Sequence, residues 1–199
     1  MSDKDFKQTP SQTAGPYFSY GLVAEQTGYP FSSLADSEVA TDDADGEAIR
    51  VEGQVFDGNG AVVSDALIEI WQADAHGRYA HPADARGSNT PFRGFGRCGT
   101  VTDSQHRYWF NTVKPGASEA GSAPHINVIV FTRGLLNHAY TRIYFEDEAA
   151  ANDQDPVMQQ VPEQRRGTLI AKRLDTQRGV VYRFDIHMQG ADETVFFDD

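Results

Sequence analysis

The stretch from Ser122 to Arg133 restricts the possible folds of this chain more than any other. From His125 to Phe131 it reads His-Ile-Asn-Val-Ile-Val-Phe, polar at its edges and apolar in the middle. Ile126, Val128 and Val130 share one face by the period of two. His125, Asn127, Ile129 and Phe131 share the other, followed by Arg133 if the strand stays regular. An imidazole at one end of a face and a guanidinium at the other is unusual for a plain core, because buried polar groups cost free energy unless partners satisfy them. This face is therefore expected to border a functional site.

The rest of the chain repeats the strand signal. Ile49, Val51, Gly53 and Val55 alternate with Arg50, Glu52 and Gln54, and Asp57-Gly58-Asn59-Gly60 is a turn segment of the kind hairpins use. Further strands are expected over Ala66–Ala73, Gly96–Val101, Arg107–Thr112, Ala139–Phe145 and Val180–Met188. Glu146–Gln160, interrupted by Pro156, supports at most a short helix, and Arg165–Arg173 supports one or two helical turns. Thr194–Phe197 carries apolar residues that predict a docked terminus. Many short strands joined by turns, without strand–helix alternation, predict an all-β fold, an antiparallel β-sandwich. A single domain over residues 1–199 is expected, with an N-terminal arm and acidic loop over 1–48 and the sandwich core over 49–199.

Two segments precede the core. Residues 1–20 contain Pro10, Gly15 and Pro16 and read as an extended arm, whose Tyr17, Phe18 and Tyr20 are costly to leave in water, so the arm is expected to dock. Residues 32–47 are acidic and small, a solvated connecting loop. The net charge of −12 disfavours nucleic acid and anionic membranes, since each needs a basic patch. It leaves room for an anionic substrate held by one local Arg. The single cysteine, Cys98, forms no internal disulfide and reads as a buried small hydrophobe. With no apolar signal region at the N-terminus and no apolar run near the ~20 residues of a membrane span, a cytoplasmic protein is expected.

Candidate chemistry concentrates in the long loop over residues 74–93. His76 and His81 flank Tyr79 there, at a spacing that matches no strong zinc pattern, and exposed loop histidines are the plainer reading. There is no Cys pair, no His-Glu-x-x-His, no Gly-x-Gly-x-x-Gly and no Gly-x-Ser-x-Gly. Arg133, next to Gly134, reads either as the partner of a surface carboxylate or as a guanidinium aimed at a ligand carboxylate.

Six segments in order give the chain a family resemblance. They are Gln12-Thr13-Ala14-Gly15-Pro16-Tyr17, Trp71-Gln72-Ala73-Asp74 with Gly77-Arg78-Tyr79, Lys114-Pro115-Gly116, Pro124-His125-Ile126-Asn127, Leu169-Ile170-Ala171-Lys172-Arg173, and Tyr182-Arg183-Phe184-Asp185-Ile186. From about residue 9 to the end, the chain resembles the intradiol dioxygenase family. The resemblance implies a β-sandwich and non-haem ferric iron, Fe(3+), held by two Tyr and two His. It implies ring opening of a catechol, here protocatechuate, by O2 between the two hydroxyls. Mapped by this resemblance, one Tyr ligand falls on Tyr79 and one His on His125. The second Tyr should follow Gly116, where Ala117 and Ser118 stand, and the second His falls on Asn127. The family's active-site Arg, three residues before the first His, falls on Ser122.

Tyr79, His125 and Asn127 are thus expected to be vestigial ligand positions. No catalytic residue and no metal ligand is expected in this chain. The iron is expected in a homologous beta subunit of an alpha–beta hetero-oligomer. Arg133, Thr13, Gly15, Pro16 and Tyr17 match positions that line the beta subunit's substrate pocket. Two rival readings are an iron enzyme acting alone, with Tyr79, His125 and His76 or His81 as ligands, and a non-catalytic β-sandwich binding module.

Overall fold

The structure, a computed structural model, describes residues 13–15, 18–87 and 91–198. Strand β1 (Ala48–Phe56) buries Ile49, Val51, Gly53 and Val55 and leaves the residues between them half-buried, as the alternation predicts. Gly53 sits mid-strand for a steric reason: a Cβ there would lie 1.6 Å from the Phe184 carbonyl oxygen. That carbonyl accepts a 2.6 Å hydrogen bond from the buried Tyr108 hydroxyl, so the chain crosses β1 too closely for any side chain.

The remaining strands are β2 (Leu67–Gln72), β3 (Phe95–Gly99), β4 (Arg107–Val113), β5 (His125–Phe131), β6 (Ala139–Phe145), β7 (Ile170–Thr176), β8 (Gly179–Arg183) and β9 (Ile186–His187). They form one hydrogen-bonded ladder in the order β3-β2-β5-β6-β7-β8-β1-β4, with β9 paired to β1. β7 is shared between two halves. Its first residues pair with β6 and its later ones with β8. Val51, Phe110 and Tyr182 of one half enclose a common core with Ile68, Val128 and Ile143 of the other. A Cβ on Gly96 of β3 would lie 2.9 Å from the Phe110 ring of β4, which shows how closely the halves approach. Each fully buried aliphatic or aromatic side chain contributes about 1.5–3 kcal/mol.

The sheet is mixed rather than purely antiparallel. β6 and β7 run parallel, as do β1 and β8, and β1 and β9. Residues 146–169 form a crossover long enough to return the chain in the same direction, which no hairpin can do. The crossover holds the short helices α2 (Ala149–Asn152) and α3 (Pro156–Gln160), and a further helix, α1 (Phe18–Leu22), follows the arm. Pro156 opens α3 at its first position, where a missing N–H costs nothing, and the preceding Asp155 caps it.

Two expectations are corrected. Over Arg165–Arg173 the structure has a 3-10 turn, Glu163–Leu169, that passes directly into β7. The acidic segment 32–47 is not only solvated surface. Val39 is fully buried in the core, Ala40 bridges to Phe92, and Glu38 bridges to Asn111. At the other end Thr194 is buried and Phe197 pairs with Tyr140, so the terminus docks. Among the described residues no helix is long and apolar enough to cross a membrane.

Candidate functional site

The loop after β2 is shaped by Asp74, which is 2% exposed. Its carboxylate accepts from the backbone N–H groups of His76 and Arg78 and from the Arg78 guanidinium. This tight turn needs Gly77 at φ 74, and a Cβ there would lie 1.9 Å from the Ala117 carbonyl oxygen. The Gly116 N–H donates to the Asp74 carbonyl at 2.9 Å. Lys114-Pro115-Gly116 therefore packs backbone to backbone on the loop that carries Tyr79. Tyr79 lies stacked on Trp71, with ring centroids 5.6 Å apart and planes 11° from parallel. Trp71, Tyr79, His81, Asp84 and Arg86 line an open cavity of about 500 Å³.

Arg86 ties this region together. Its guanidinium donates to both Asp84 oxygens at 2.8 and 2.7 Å, to the Gly77 carbonyl at 3.0 Å and to the Ser118 carbonyl at 3.3 Å. Asp84 in turn accepts from the Tyr79 N–H. The Arg86 guanidinium first, then the Tyr79 N–H, holds the Asp84 carboxyl far below the usual carboxylate range.

His125 begins β5 and is 8% exposed. Its Nδ1 lies 2.8 Å from the Ala123 carbonyl, which can only accept, so the proton sits on Nδ1 and Nε2 carries the lone pair. Burial lowers its pKa. The Ala123 bond opposes that shift and the nearby Arg142 adds to it, with burial the largest cause. Tyr144 stands opposite His125 on β6, and its hydroxyl donates to the buried Asp155. Asn127 lies between Trp71 of β2 and Arg142 of β6 in the register. His76 and His81 do not converge on these residues. His76 points toward Asp45 at 3.9 Å, and His81 sits edge-on to Trp71 and accepts from the Ala83 N–H.

Arg133 is placed elsewhere. β5 ends at Phe131, Thr132 is buried, and the Arg133 side chain is 60% exposed, with Nε 2.6 Å from Asp65 Oδ2. The arm reaches this end of the strand: Thr13 Oγ1 accepts from the Gly134 N–H at 2.9 Å, and Phe18 packs on Phe131. The Gly15 carbonyl accepts from the Phe18 N–H and starts α1. Thr13, Ala14, Phe18, Phe131, Leu136 and His138 line a pocket of about 230 Å³. Pro16 and Tyr17 lie outside the described residues. The two ends of β5 are separated by about 20 Å at the usual rise per residue.

A family sequence profile described as "Dioxygenase" matches residues 14–190. The chain is 58% identical over 194 residues to the protocatechuate 3,4-dioxygenase alpha chain of Burkholderia cepacia, covering 96% of this chain and 98% of that one. This chain belongs to the intradiol ring-cleaving dioxygenase family. The beta chain of protocatechuate 3,4-dioxygenase from the same organism is 36% identical over 183 residues, covering 86% of this chain and 77% of that one. Among solved structures, the dioxygenase domain of a dioxygenase–carbohydrate-binding fusion from Streptomyces sp. SirexAA-E superposes with a TM-score of 0.61 at 25% identity, covering 93% of this chain and 100% of that one.

Intradiol dioxygenases are non-haem iron enzymes, and the residues around Tyr79 and His125 do not fit that ion. Hard ferric iron favours anionic oxygen donors. At the positions that the resemblance assigns to the ligands, Tyr79 is the one phenol and Asn127 supplies a neutral carboxamide. Where the resemblance expects the second phenol, Ala117 and Ser118 stand, and the Ser118 carbonyl accepts from the cationic Arg86, whose charge opposes a trivalent ion. Sequence reading missed Arg86, Asp84, Asp155 and Asp65. Asp84 and Arg86 are two residues apart in the long loop, which was a local signal. Asp65 was visible only through strand register: Leu67 pairs with Phe131, so continuing the ladder by two residues sets Asp65 opposite Arg133.

Proposed function

We propose that this chain is the alpha chain of a protocatechuate 3,4-dioxygenase and that it works beside an iron-binding beta chain of related sequence. In this reading the chain forms a single folding unit and holds no iron. Its Arg133 corner, with Thr13, Gly15, Pro16 and Tyr17, lines the beta chain's substrate pocket. One observation carries the reading. Arg133 and the Tyr79–His125 region stand at opposite ends of β5, about 20 Å apart, whereas a catechol carboxylate spans well under half of that. The Arg133 guanidinium therefore serves a substrate bound outside this chain's own family ligand positions.

The chemistry of the corner suits that task. Protocatechuate carries a carboxylate, and a guanidinium matches its planar pair of oxygens. A charge-assisted bond of this kind contributes about 1.5–3 kcal/mol. It places local positive charge on a chain whose net charge of −12 would otherwise repel the substrate. The beta chain's ferric iron supplies the redox chemistry of ring opening, which takes protocatechuate and O2 to 3-carboxy-cis,cis-muconate. This chain binds, orients and encloses. Two related chains of this kind suit a pseudo-symmetric pair, and a cytoplasmic enzyme of aromatic catabolism is the setting we propose.

The test is metal stoichiometry. Co-expressed with a beta chain, the complex should carry one ferric ion per alpha–beta pair and oxidise protocatechuate. This chain alone should be colourless and inactive. Iron in the isolated chain, or two ions per pair, overturns the reading.

A further inference from the structure

Asp65 ends the loop before β2, and its side chain is only 13% exposed. Its Oδ2 lies 2.6 Å from Arg133 Nε, while its Oδ1 is buried with no hydrogen-bond partner among the described residues. A carboxylate so placed depends on its cation, because a buried oxygen without a donor is costly and an unpaired charge more so. Among the described residues, Arg133 is the cation paired with it. The contact is made at the Nε flank, and neither terminal nitrogen of the guanidinium hydrogen-bonds a described residue. Asp65 therefore steadies a long, exposed side chain at Nε, and among the described residues the two terminal nitrogens are left without a hydrogen bond. The backbone on both sides is fixed. The β2–β5 register ends at Leu67 opposite Phe131, two residues short of Asp65 and Arg133 on each side, and Thr13 holds the Gly134 N–H that follows Arg133.

We infer that Asp65 is the positioning residue that orients Arg133 to receive the carboxylate of the substrate. The inference rests on the reading that Arg133 serves the beta chain's pocket. It adds that the Asp65–Arg133 pair is one device and selects carboxylated catechols. An acidic side chain beside an anion-binding site would weaken binding if it acted only through its charge. As a positioning group it strengthens binding, because it removes the guanidinium's other orientations before the substrate arrives.

The experiment uses the assembled alpha–beta enzyme. Dissociation constants are measured under nitrogen for protocatechuate and for catechol, which lacks the carboxylate, and KM and kcat are measured in air. The variants are Asp65→Asn, which keeps the shape, Arg133→Ala, and both together. Asp65→Asn should weaken protocatechuate binding by roughly three- to tenfold and raise KM without lowering kcat. It should leave catechol binding unchanged and add nothing in the Arg133→Ala background. Protocatechuate binding that is unchanged or tighter in Asp65→Asn, while Arg133→Ala weakens it, overturns the positioning role alone. An equal loss for both ligands also overturns it, since that marks a general structural defect. No effect of Arg133→Ala overturns the underlying reading and this inference with it.

Discussion

The two ends of β5 treat their polar groups in opposite ways. At the His125 end nearly every group is engaged. Asp155 accepts from the Ala123, Val157 and Met158 N–H groups and from the Tyr144 hydroxyl, His125 is held by the Ala123 carbonyl, and Arg86 directs bonds to Asp84, Gly77 and Ser118. At the Arg133 end a guanidinium projects on one ion contact, beside a carboxylate oxygen with no donor among the described residues. Arg86 and Arg133 have similar side-chain exposures, 52% and 60%, so exposure does not separate them. What separates them is how many of their donors the described residues already use. A cation with its donors engaged holds the chain together, and one with donors left over is available to a ligand.

The largest effect that could break this contrast is on stability at the engaged end. Asp155→Ala leaves four donors, three of them buried, without their acceptor and should cost about 3 kcal/mol or more, lowering Tm by roughly 6–12 °C. A loss below ~3 °C by calorimetry would mean that this end is not the rigid one. Arg133→Ala should cost less in folding than Asp155→Ala, about 1–3 kcal/mol, because it leaves one carboxylate, Asp65, without its cation. In the complex, kcat/KM for protocatechuate should fall roughly ten- to hundredfold.

A smaller effect is the pH dependence at His125. Burial, and secondarily Arg142, lowers its folded-state pKa below the unfolded value, so the unfolded chain binds the proton more readily. The stability from the neutral ring is fully present above about pH 6.5 and is lost as pH falls through the folded pKa. His125→Gln should flatten this limb of a denaturation-versus-pH curve. A second decline, below about pH 4, belongs to carboxylates such as Asp155. Burial raises the Asp155 pKa, but bonds from the Met158 and Ala123 N–H groups and the Tyr144 hydroxyl outweigh burial and hold it low. Arg86→Met should give the smallest global change. Faster amide exchange at Gly77, Tyr79 and Ser118 with little movement of Tm would place Arg86 as a local clamp. Unchanged exchange would remove it from that role.

Much of this molecule follows from local pattern. Alternation placed β5 and β6 at their observed bounds, His125–Phe131 and Ala139–Phe145, because a strand with one buried face must alternate. The order of six short segments was enough to identify the family. Set against that resemblance, residue identities predict Asn127 and the Ala117-Ser118 pair as departures from its ligand set. Pattern was weaker where burial did not alternate. β7 has one buried residue, Ala171, in seven, and its first four residues fall in the segment expected to form one or two helical turns.

Tertiary structure alone decided three things. It made the sheet mixed, because the crossover over 146–169 reverses the direction that a hairpin would impose. It drew Val39 from an acidic segment into the core, since burial depends on what packs against a residue and not on its neighbours' charge. It also set Asp65 against Arg133 across 68 positions of chain, leaving one guanidinium with donors that no described residue uses while Arg86 has its donors engaged. Sequence specifies which groups can carry charge. Which of them remain available to a ligand depends on the partners that distant strands bring within hydrogen-bonding distance.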